Sequence, residues 1–226
     1  MINVKFTKLP VAFVTIGYPG CGKSSFFKYC DEKVSDLVRL SSDQIIEDKA
    51  KKLDKTYNDI FNSEIKAANK QYRKELSECI ETRRNIYIDR TNLTLSARKK
   101  LVERLSQYKY YVVSLDFSNA PYQMIDQINR ERKDYGRAIP PHAINNMRES
   151  FTTIQPDEKF DLIIPIDFSD RLNGWIGNDE IGVHDSHCPY PDYYDTDEDI
   201  IFCKYGMERC PYNGKKYGDF KYDDKN

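Results

Sequence analysis

Residues 17–24 combine three glycines with a lysine and a serine at a fixed spacing. Their sequence, Gly-Tyr-Pro-Gly-Cys-Gly-Lys-Ser, fits the pattern G-x-x-x-x-G-K-[ST] in full. Glycines allow several backbone N–H groups to point inward, and a helix N-terminus after the loop adds partial positive charge. In this pattern Lys23 is expected to bridge the β- and γ-phosphates of a nucleotide, and the Ser24 hydroxyl to hold Mg²⁺. The segment therefore predicts a site for ATP and Mg²⁺.

Every residue of this loop is a candidate nucleotide contact, and the next residue, Ser25, is included although it also fits an ordinary helix position. Cys21 is interpreted as a small residue that fills the loop, where alkylation should block nucleotide binding. The predicted binding set is Gly17, Tyr18, Pro19, Gly20, Cys21, Gly22, Lys23, Ser24 and Ser25.

Two aspartates follow predicted strands and could act at a phosphate site. Asp43 comes just after the weak strand candidate 37–40, at the sheet edge where ligands of α/β folds gather. Such a carboxylate can accept the proton of an attacking hydroxyl, but Asp43 fits the N-cap of the next helix about equally well. Asp89 closes the strand candidate 85–88 and could order a water bound to Mg²⁺. The sequence thus leaves two roles open for Asp43.

A basic segment at 129–140 predicts a mobile lid. Four Lys and Arg residues fall within eight positions around Gly136, and Pro140 can start a helix. Cations on such a lid would neutralise phosphate oxygens as the transferred group loosens; a solvated charged turn is the alternative. The candidate phosphate-binding residues are Arg130, Arg132 and Arg137.

The elements that must position these residues alternate between short β-branched runs and helical stretches. Strands are predicted at 11–16, 37–40, 85–88, 110–116 and 160–166. Apolar residues recur at helical spacing from Ile46 to Ile80, as one long helix or two shorter ones, and again around 97–105. The pattern predicts an α/β fold with a parallel five-stranded sheet and helices on both faces.

Together these segments resemble the polynucleotide 5′-hydroxyl kinase family, which includes the kinase domains of bacteriophage end-healing enzymes and of tRNA ligases. The matching pieces are GYPGCGKSS, SSDQ, IDRTNLTLSARKK, NRERKDYGRAIPPHAINNM and the stretch 151–166. The resemblance implies a P-loop kinase fold in a domain at 1–167 and ATP-dependent phosphorylation of nucleic acid 5′ ends. It also implies that Asp43 is the general base and that a lid arginine clamps the donor phosphates.

One position departs from the family pattern. Three residues after the base, the phage enzymes have an arginine that grips the acceptor phosphate, and this chain has Ile46. Arginine is the side chain suited to a bidentate phosphate contact, so the identity of the acceptor stays open. The alternatives are a kinase for another hydroxyl (a nucleoside, a nucleotide, a hydroxymethylated DNA base or an aminoacyl-tRNA) and a nucleotide-binding adaptor. Other basic residues that could bind nucleic acid are Lys49, Lys51, Lys52, Lys55 and Arg90.

Residues 168–226 differ in composition from the rest of the chain. They carry 7 Lys and Arg against 13 Asp and Glu, whereas residues 1–167 carry 28 against 23. Periodicity fades there, which predicts a small, irregular, acidic C-terminal module. The run 192–199, with Tyr193 and Tyr194, could dock a protein partner or be a solvated loop.

Histidine and cysteine cluster in the same extension. Thiolate and imidazole are zinc ligands, but no C-x₂-C pair occurs, so structural Zn²⁺, partly buried free thiols and a disordered tail are all open interpretations. The candidate ligands are His184, His187, Cys188, Cys203 and Cys210.

The composition limits the setting of the chain. Its 226 residues include 35 Lys and Arg and 36 Asp and Glu, and no apolar run approaches the roughly 20 residues of a spanning helix. The N-terminal residues lack the zones of a signal peptide. We therefore expect a cytoplasmic or nuclear protein that is neither secreted nor in a membrane.

Overall fold

Five parallel strands form the central sheet of the computed structural model, which describes residues 9–166, Phe168, and the pairs 183–184 and 201–202. The strands are β1 (Val11–Ile16), β2 (Val38–Leu40), β3 (Ile86–Ile88), β4 (Tyr111–Asp116), β5 (Leu162–Pro165), β6 (Val183–His184) and β7 (Ile201–Phe202). The strand order across the sheet is β2-β3-β1-β4-β5, so β1 lies at the centre, and all six of its residues are buried. A separate antiparallel pair joins β6 to β7.

Helices cover both faces of the sheet. They are α1 (Lys23–Lys33), α2 (Ser42–Lys52), α3 (Tyr57–Glu81), α4 (Leu95–Gln107), α5 (Tyr122–Glu131) and α6 (Pro141–Ser150), with 3₁₀ turns at Arg132–Tyr135 and Pro156–Glu158. Side chains alternate along β1: Phe13 belongs to a buried cluster with residues of α1 and α5, whereas Val14 belongs to a second cluster with residues of α3 and α4. The predicted layering is therefore confirmed.

The long helical region between β2 and β3 forms two helices. A turn after α2 includes Asp54 at a φ of 51°, and Thr56 then caps α3 in a capping box with Asp59. The two helices pack through a small apolar cluster of Ile46, Ala50, Ile60 and Ala68. Across this packing, the hydroxyl of Tyr57, at the start of α3, reaches the carboxylate of Asp43 on the first turn of α2.

A buried ion pair fixes the segment that follows β3. Arg98 of α4 donates through Nε to Glu158 Oε2 over 2.6 Å, and both side chains are almost fully buried. The guanidinium also donates to the carbonyl oxygens of Leu93 (3.0 Å) and Thr153 (3.1 Å). Leu93 lies in the loop after β3, whereas Thr153 and Glu158 lie beyond α6. Arg98 therefore holds these two segments together.

The predicted α/β fold class, with its parallel five-stranded sheet, is confirmed. Most of the predicted C-terminal module lies outside the described residues, so the boundary at 167 stays a prediction. Within the described residues, none of the helices has both the length and the apolar character that crossing a bilayer requires.

Candidate active site

The phosphate loop, residues 17–24, leaves the central strand β1 and enters α1. Gly20 and Gly22 have φ angles of 86° and 99°, a backbone conformation that favours glycine, and Gly22 is the N-cap of α1. The loop is pinned to the end of β3, because the Gly17 N–H donates to the Thr91 carbonyl over 2.9 Å. Loop and helix therefore meet at the sheet edge in the way that the spacing of the motif predicts.

Lys23 is folded over its own loop. Its Nζ donates to the carbonyl oxygens of Gly17 (2.9 Å) and Tyr18 (2.6 Å), and the residue is 7% exposed. Cys21 is fully buried beneath it, as a filler of the loop would be, with its Sγ 3.5 Å from Nζ. Ser25 is an exposed residue of α1.

Ser24 and Asp89 lie side by side, with Arg39 as a third partner. The Ser24 hydroxyl donates to Asp89 Oδ2 over 2.9 Å, and Arg39 donates to the same oxygen through Nε (3.0 Å) and Nη2 (2.6 Å). Asp89 is 8% exposed. A hydroxyl and a carboxylate are the hard oxygen ligands that Mg²⁺ prefers, so these two side chains fit a magnesium site beside the phosphate loop.

Asp43 does not cap α2. The N-cap is Ser41, whose Oγ accepts from the Gln44 N–H, so the capping role considered for Asp43 is wrong. Asp43 is instead exposed on the first turn, and its Oδ1 accepts a hydrogen bond of 3.0 Å from the Tyr57 hydroxyl. Burial and the charge of Asp43 raise the pKa of Tyr57, so the phenol stays protonated and acts as a donor to the carboxylate.

The lid segment rests on the first turn of α3. The Asn58 N–H donates to the Gly136 carbonyl over 3.0 Å, and the Asn58 side chain donates to the Ala138 carbonyl over 3.1 Å. Gly136 has a φ of 60°, and a Cβ there would lie 2.7 Å from Thr56 Cγ2. The close approach of the two segments therefore depends on this glycine.

The three lid arginines have different surroundings. Arg137 pairs with Glu47 and lies 5.5 Å from the centre of the Tyr57 ring, whereas Arg130 is exposed at the end of α5. Arg132 approaches the phosphate loop, with its Cζ 3.9 Å from where a Cβ on Gly20 would lie.

The charges around Arg132 partly balance each other. Burial, more than the charge of Arg137, lowers the pKa of Arg132, while the charges of Asp43 and Glu47 act in the opposite direction. The approach to Gly20 of the phosphate loop distinguishes Arg132 from Arg130 and Arg137.

Sequence reasoning missed three residues of the cleft: Arg39, Glu47 and Tyr57. Arg39 lies on β2 two residues before Ser41, and no spacing rule linked it to Asp89. Glu47 lies four residues after Asp43, one helical turn, so helical periodicity could have placed it on the same face. Tyr57 lies beyond the turn between α2 and α3, so only the packing of the two helices brings its side chain to Asp43.

The departure at position 46 has a packing explanation. Ile46 is fully buried between α2 and α3, so its side chain lies in the core and Glu47 lies on the side of the lid. Of the other basic residues considered for nucleic acid, Lys49 pairs with Glu64 over 2.5 Å, and Arg90 lies over the Tyr72 ring.

The predicted zinc ligands are not tested. Only the backbone of His184, in β6, is described; the other four candidates, His187, Cys188, Cys203 and Cys210, and the acidic run with Tyr193 and Tyr194 lie outside the described residues. Among the residues that are described, no group of three or more His, Cys, Asp or Glu side chains could hold a metal ion.

The fold and the loop define a P-loop nucleotide-binding domain of the kinase-like type, a class that generally binds ATP with Mg²⁺. A family model described as an AAA domain matches residues 13–154, and the chain belongs to that family. The P-loop family membership that the motifs indicate is thereby confirmed. No curated protein matches the chain.

Solved structures align with the chain at low sequence identity, and the first of those described here, with a TM-score above 0.5, has the same fold. A structure from the PezAT chromosomal toxin–antitoxin system of Streptococcus pneumoniae aligns with 17% identity and a TM-score of 0.51, over 71% of this chain and 68% of the other. A chain of the Pnkp1/Rnl/Hen1 RNA repair complex aligns with 22% identity and a TM-score of 0.46, over 64% of this chain and 47% of the other. A fungal RNA kinase aligns with 14% identity and a TM-score of 0.45, over 71% and 76%.

Proposed function

We propose that the chain is an ATP-dependent kinase that transfers the γ-phosphate to the 5′-hydroxyl end of DNA or RNA. The observation that carries the proposal is the position of the lid turn 132–137, because Arg132 lies beside Gly20 of the phosphate loop and Arg137 lies over the ring of Tyr57, whose hydroxyl donates to Asp43. A phosphate donor on the loop and a base on α2 would then share one cleft. The resemblance of the five sequence segments to polynucleotide kinases supplies the nature of the acceptor.

The donor side of the cleft is built from Lys23, Ser24 and Asp89. Lys23 holds its ammonium group against the loop carbonyls of Gly17 and Tyr18, from which it can turn to phosphate oxygens. Ser24 and Asp89 would hold Mg²⁺, either directly or through water. Mg²⁺ supplies charge neutralisation of the β- and γ-phosphates when it is bound.

The acceptor side is built from Asp43 and Tyr57. Tyr57 donates to Oδ1 of Asp43, and the other carboxylate oxygen would accept the proton of an alcohol. The alcohol oxygen forms a bond to the γ-phosphorus as the bond to the ADP oxygen breaks, and the alcohol proton passes to Asp43. Arg132 would stabilise the charge on the phosphoryl oxygens during the transfer.

A panel of acceptors tests this function. The full chain is incubated with γ-labelled ATP and Mg²⁺ together with a 5′-hydroxyl RNA, a 5′-hydroxyl DNA, the same strands carrying a 5′-phosphate, and a set of nucleosides and nucleotides. The proposal expects label on the 5′-hydroxyl strands and none on the 5′-phosphorylated strands. Label on small molecules alone would contradict it.

Glu47 favours a second candidate function, a kinase for a hydroxyl that has no phosphate close by. Its carboxylate lies on the lid side of α2, one turn from Asp43, and Ile46 places no cation there. Arg137 is paired with Glu47, so its charge is not available to grip an acceptor phosphate at this point of the cleft. The nucleoside arm of the acceptor panel distinguishes this candidate from the first.

A further inference from the structure

Arg39 brings a positive charge to the side chains that fit a magnesium site. On β2 it pairs with Tyr87 of β3, and a backbone hydrogen bond runs from the Asp89 N–H to the Leu40 carbonyl over 3.0 Å. Because side chains two residues apart point to the same face of a sheet, Asp89 lies on the same face as Tyr87 and Arg39. The contact between Arg39 and Asp89 therefore follows from the register of the two strands.

One oxygen of the Asp89 carboxylate receives all the side-chain hydrogen bonds that reach it from the described residues. Its Oδ2 accepts from the Ser24 hydroxyl and twice from the Arg39 guanidinium, over 2.6–3.0 Å. The Asp89 side chain is only 5% exposed, so solvent does little to balance its charge. Arg39 supplies the positive charge that a buried carboxylate requires.

Mg²⁺ and Arg39 make the same demand on this carboxylate. Ser24 and Asp89 are the oxygen ligands that fit Mg²⁺, and the Arg39 Nη2 lies 2.6 Å from one oxygen of Asp89. Two cations at such a distance repel each other while they share one negative charge. Arg39 therefore lowers the affinity of this site for Mg²⁺ unless a ligand brings further negative charge.

Two other contacts hold Arg39 when the carboxylate is released. Its Nη1 donates to Gln44 Oε1 over 3.2 Å, and its guanidinium lies 5.6 Å from the centre of the Phe27 ring. The Arg39 side chain is 22% exposed, so it can take a new partner. The guanidinium can thus exchange Asp89 for a phosphate oxygen while Gln44 and Phe27 keep it in the cleft.

We propose that Arg39 competes with Mg²⁺ for the carboxylate of Asp89, so that Mg²⁺ binds together with the phosphates of a nucleotide rather than alone. The phosphates supply the negative charge that pairs with the guanidinium once Mg²⁺ holds the carboxylate. Arg39 thus couples metal binding to nucleotide binding, and by linkage the coupling acts equally in both directions. The inference rests on the magnesium site of the proposed function but not on the identity of the acceptor.

The test measures binding of Mn²⁺ to the full chain by electron paramagnetic resonance, with and without ADP. Mn²⁺ prefers the same oxygen ligands as Mg²⁺, and this method measures its unbound form directly. Arg39→Met removes the charge. Arg39→Gln also removes it but keeps an amide donor for Asp89, so a second charge-free variant is available if the first does not fold. Circular dichroism and thermal melting establish which variants are folded.

Two variants serve as controls. Arg39→Lys keeps the positive charge at the site. Arg104→Met removes a partly buried arginine near the end of α4, where its Nη2 donates to Ser77 Oγ over 2.8 Å. Both should bind Mn²⁺ within about twofold of the wild type, because neither changes the charge beside Asp89.

Without nucleotide, we expect the charge-free variants to bind Mn²⁺ about tenfold more tightly than the wild type, since Mn²⁺ no longer displaces a charge-assisted hydrogen bond. The factor by which ADP strengthens Mn²⁺ binding should fall about tenfold in the same variants. Adding Asp89→Asn to Arg39→Gln should remove the gain, because the carboxylate is then lost.

Unchanged or weaker Mn²⁺ binding in the charge-free variants, or a gain that persists with Asp89→Asn, would overturn the inference. The binding test requires no phosphoryl transfer, so its outcome is separate from that of the acceptor panel. The expected Mn²⁺ affinities without label on any acceptor would contradict the proposed kinase function and support the competition at Asp89.

Discussion

The hydrogen bond between Tyr57 and Asp43 gives the sharpest test of the acceptor side. Tyr57→Phe removes only the hydroxyl, which donates to Asp43 Oδ1 over 3.0 Å, and keeps the ring that packs on Phe61 and under Arg137. The hydrogen bond fixes the orientation of the exposed Asp43 carboxylate, and it weakens as the carboxylate takes up a proton, so its contribution to the rate comes from positioning of the base. A loss of orientation worth about 1.4 kcal/mol is a factor of ten in rate, so we expect kcat to fall about tenfold.

The assay is steady-state transfer from labelled ATP to the acceptor that the panel identifies. The KM for ATP should not change, because Tyr57 does not contact the phosphate loop. Tyr108→Phe is the matched control, since Tyr108 is a 47% exposed tyrosine at the C-cap of α4. The double variant Asp43→Asn/Tyr57→Phe should be no slower than Asp43→Asn, because Tyr57 acts through Asp43. Equal kcat for Tyr57→Phe and the wild type, or additive losses in the double variant, would refute the reasoning.

Three further changes test the lid, the core and the acid on α2. Arg132→Ala should lower kcat about 100-fold in the transfer assay, against a small effect of Arg130→Ala; the reverse order would rule out Arg132 as the clamp. Arg98→Met leaves the buried Glu158 unpaired and should lower the free energy of unfolding in urea by about 3–5 kcal/mol, and a loss below about 1 kcal/mol would show that the pair is dispensable. Burial raises the pKa of Glu47 despite the charge of Arg137. The stability that the neutral carboxyl contributes is therefore present below the unfolded pKa and is lost as the pH rises through the folded pKa. Glu47→Gln should gain stability relative to the wild type as the pH rises above about 4, the unfolded pKa of Glu, and a difference that is constant with pH would contradict this.

The sheet and the phosphate loop were predictable because their signals are local. The run 11–16 is β-branched and ends at a glycine, and the motif that follows specifies both the turn and the start of α1. The helices α2 and α3 were predictable as apolar periodicity. The point of division was not, because it depends on the capping box of Thr56 and Asp59, which propensity alone does not single out.

The cleft beyond the loop was less predictable, since its contacts join residues that are distant in the chain. Arg39 reaches Asp89 across neighbouring strands, and their separation of 50 residues leaves no pattern in the sequence. The choice among the lid arginines likewise depends on how the lid folds back. The role of Asp43 was open between general base and N-cap because its carboxylate suits both, and only the geometry shows that Ser41 is the cap of α2.

The central claim is that the carboxylate of Asp43 removes the proton of an alcohol that attacks a phosphate held by Lys23. The most direct measurement compares Asp43→Asn with the wild type in two quantities, the rate of phosphoryl transfer and the Kd for ATP. The account predicts that transfer is lost, by a factor of about 100 or more, while the Kd for ATP stays within about twofold. Transfer at the wild-type rate by Asp43→Asn would contradict it.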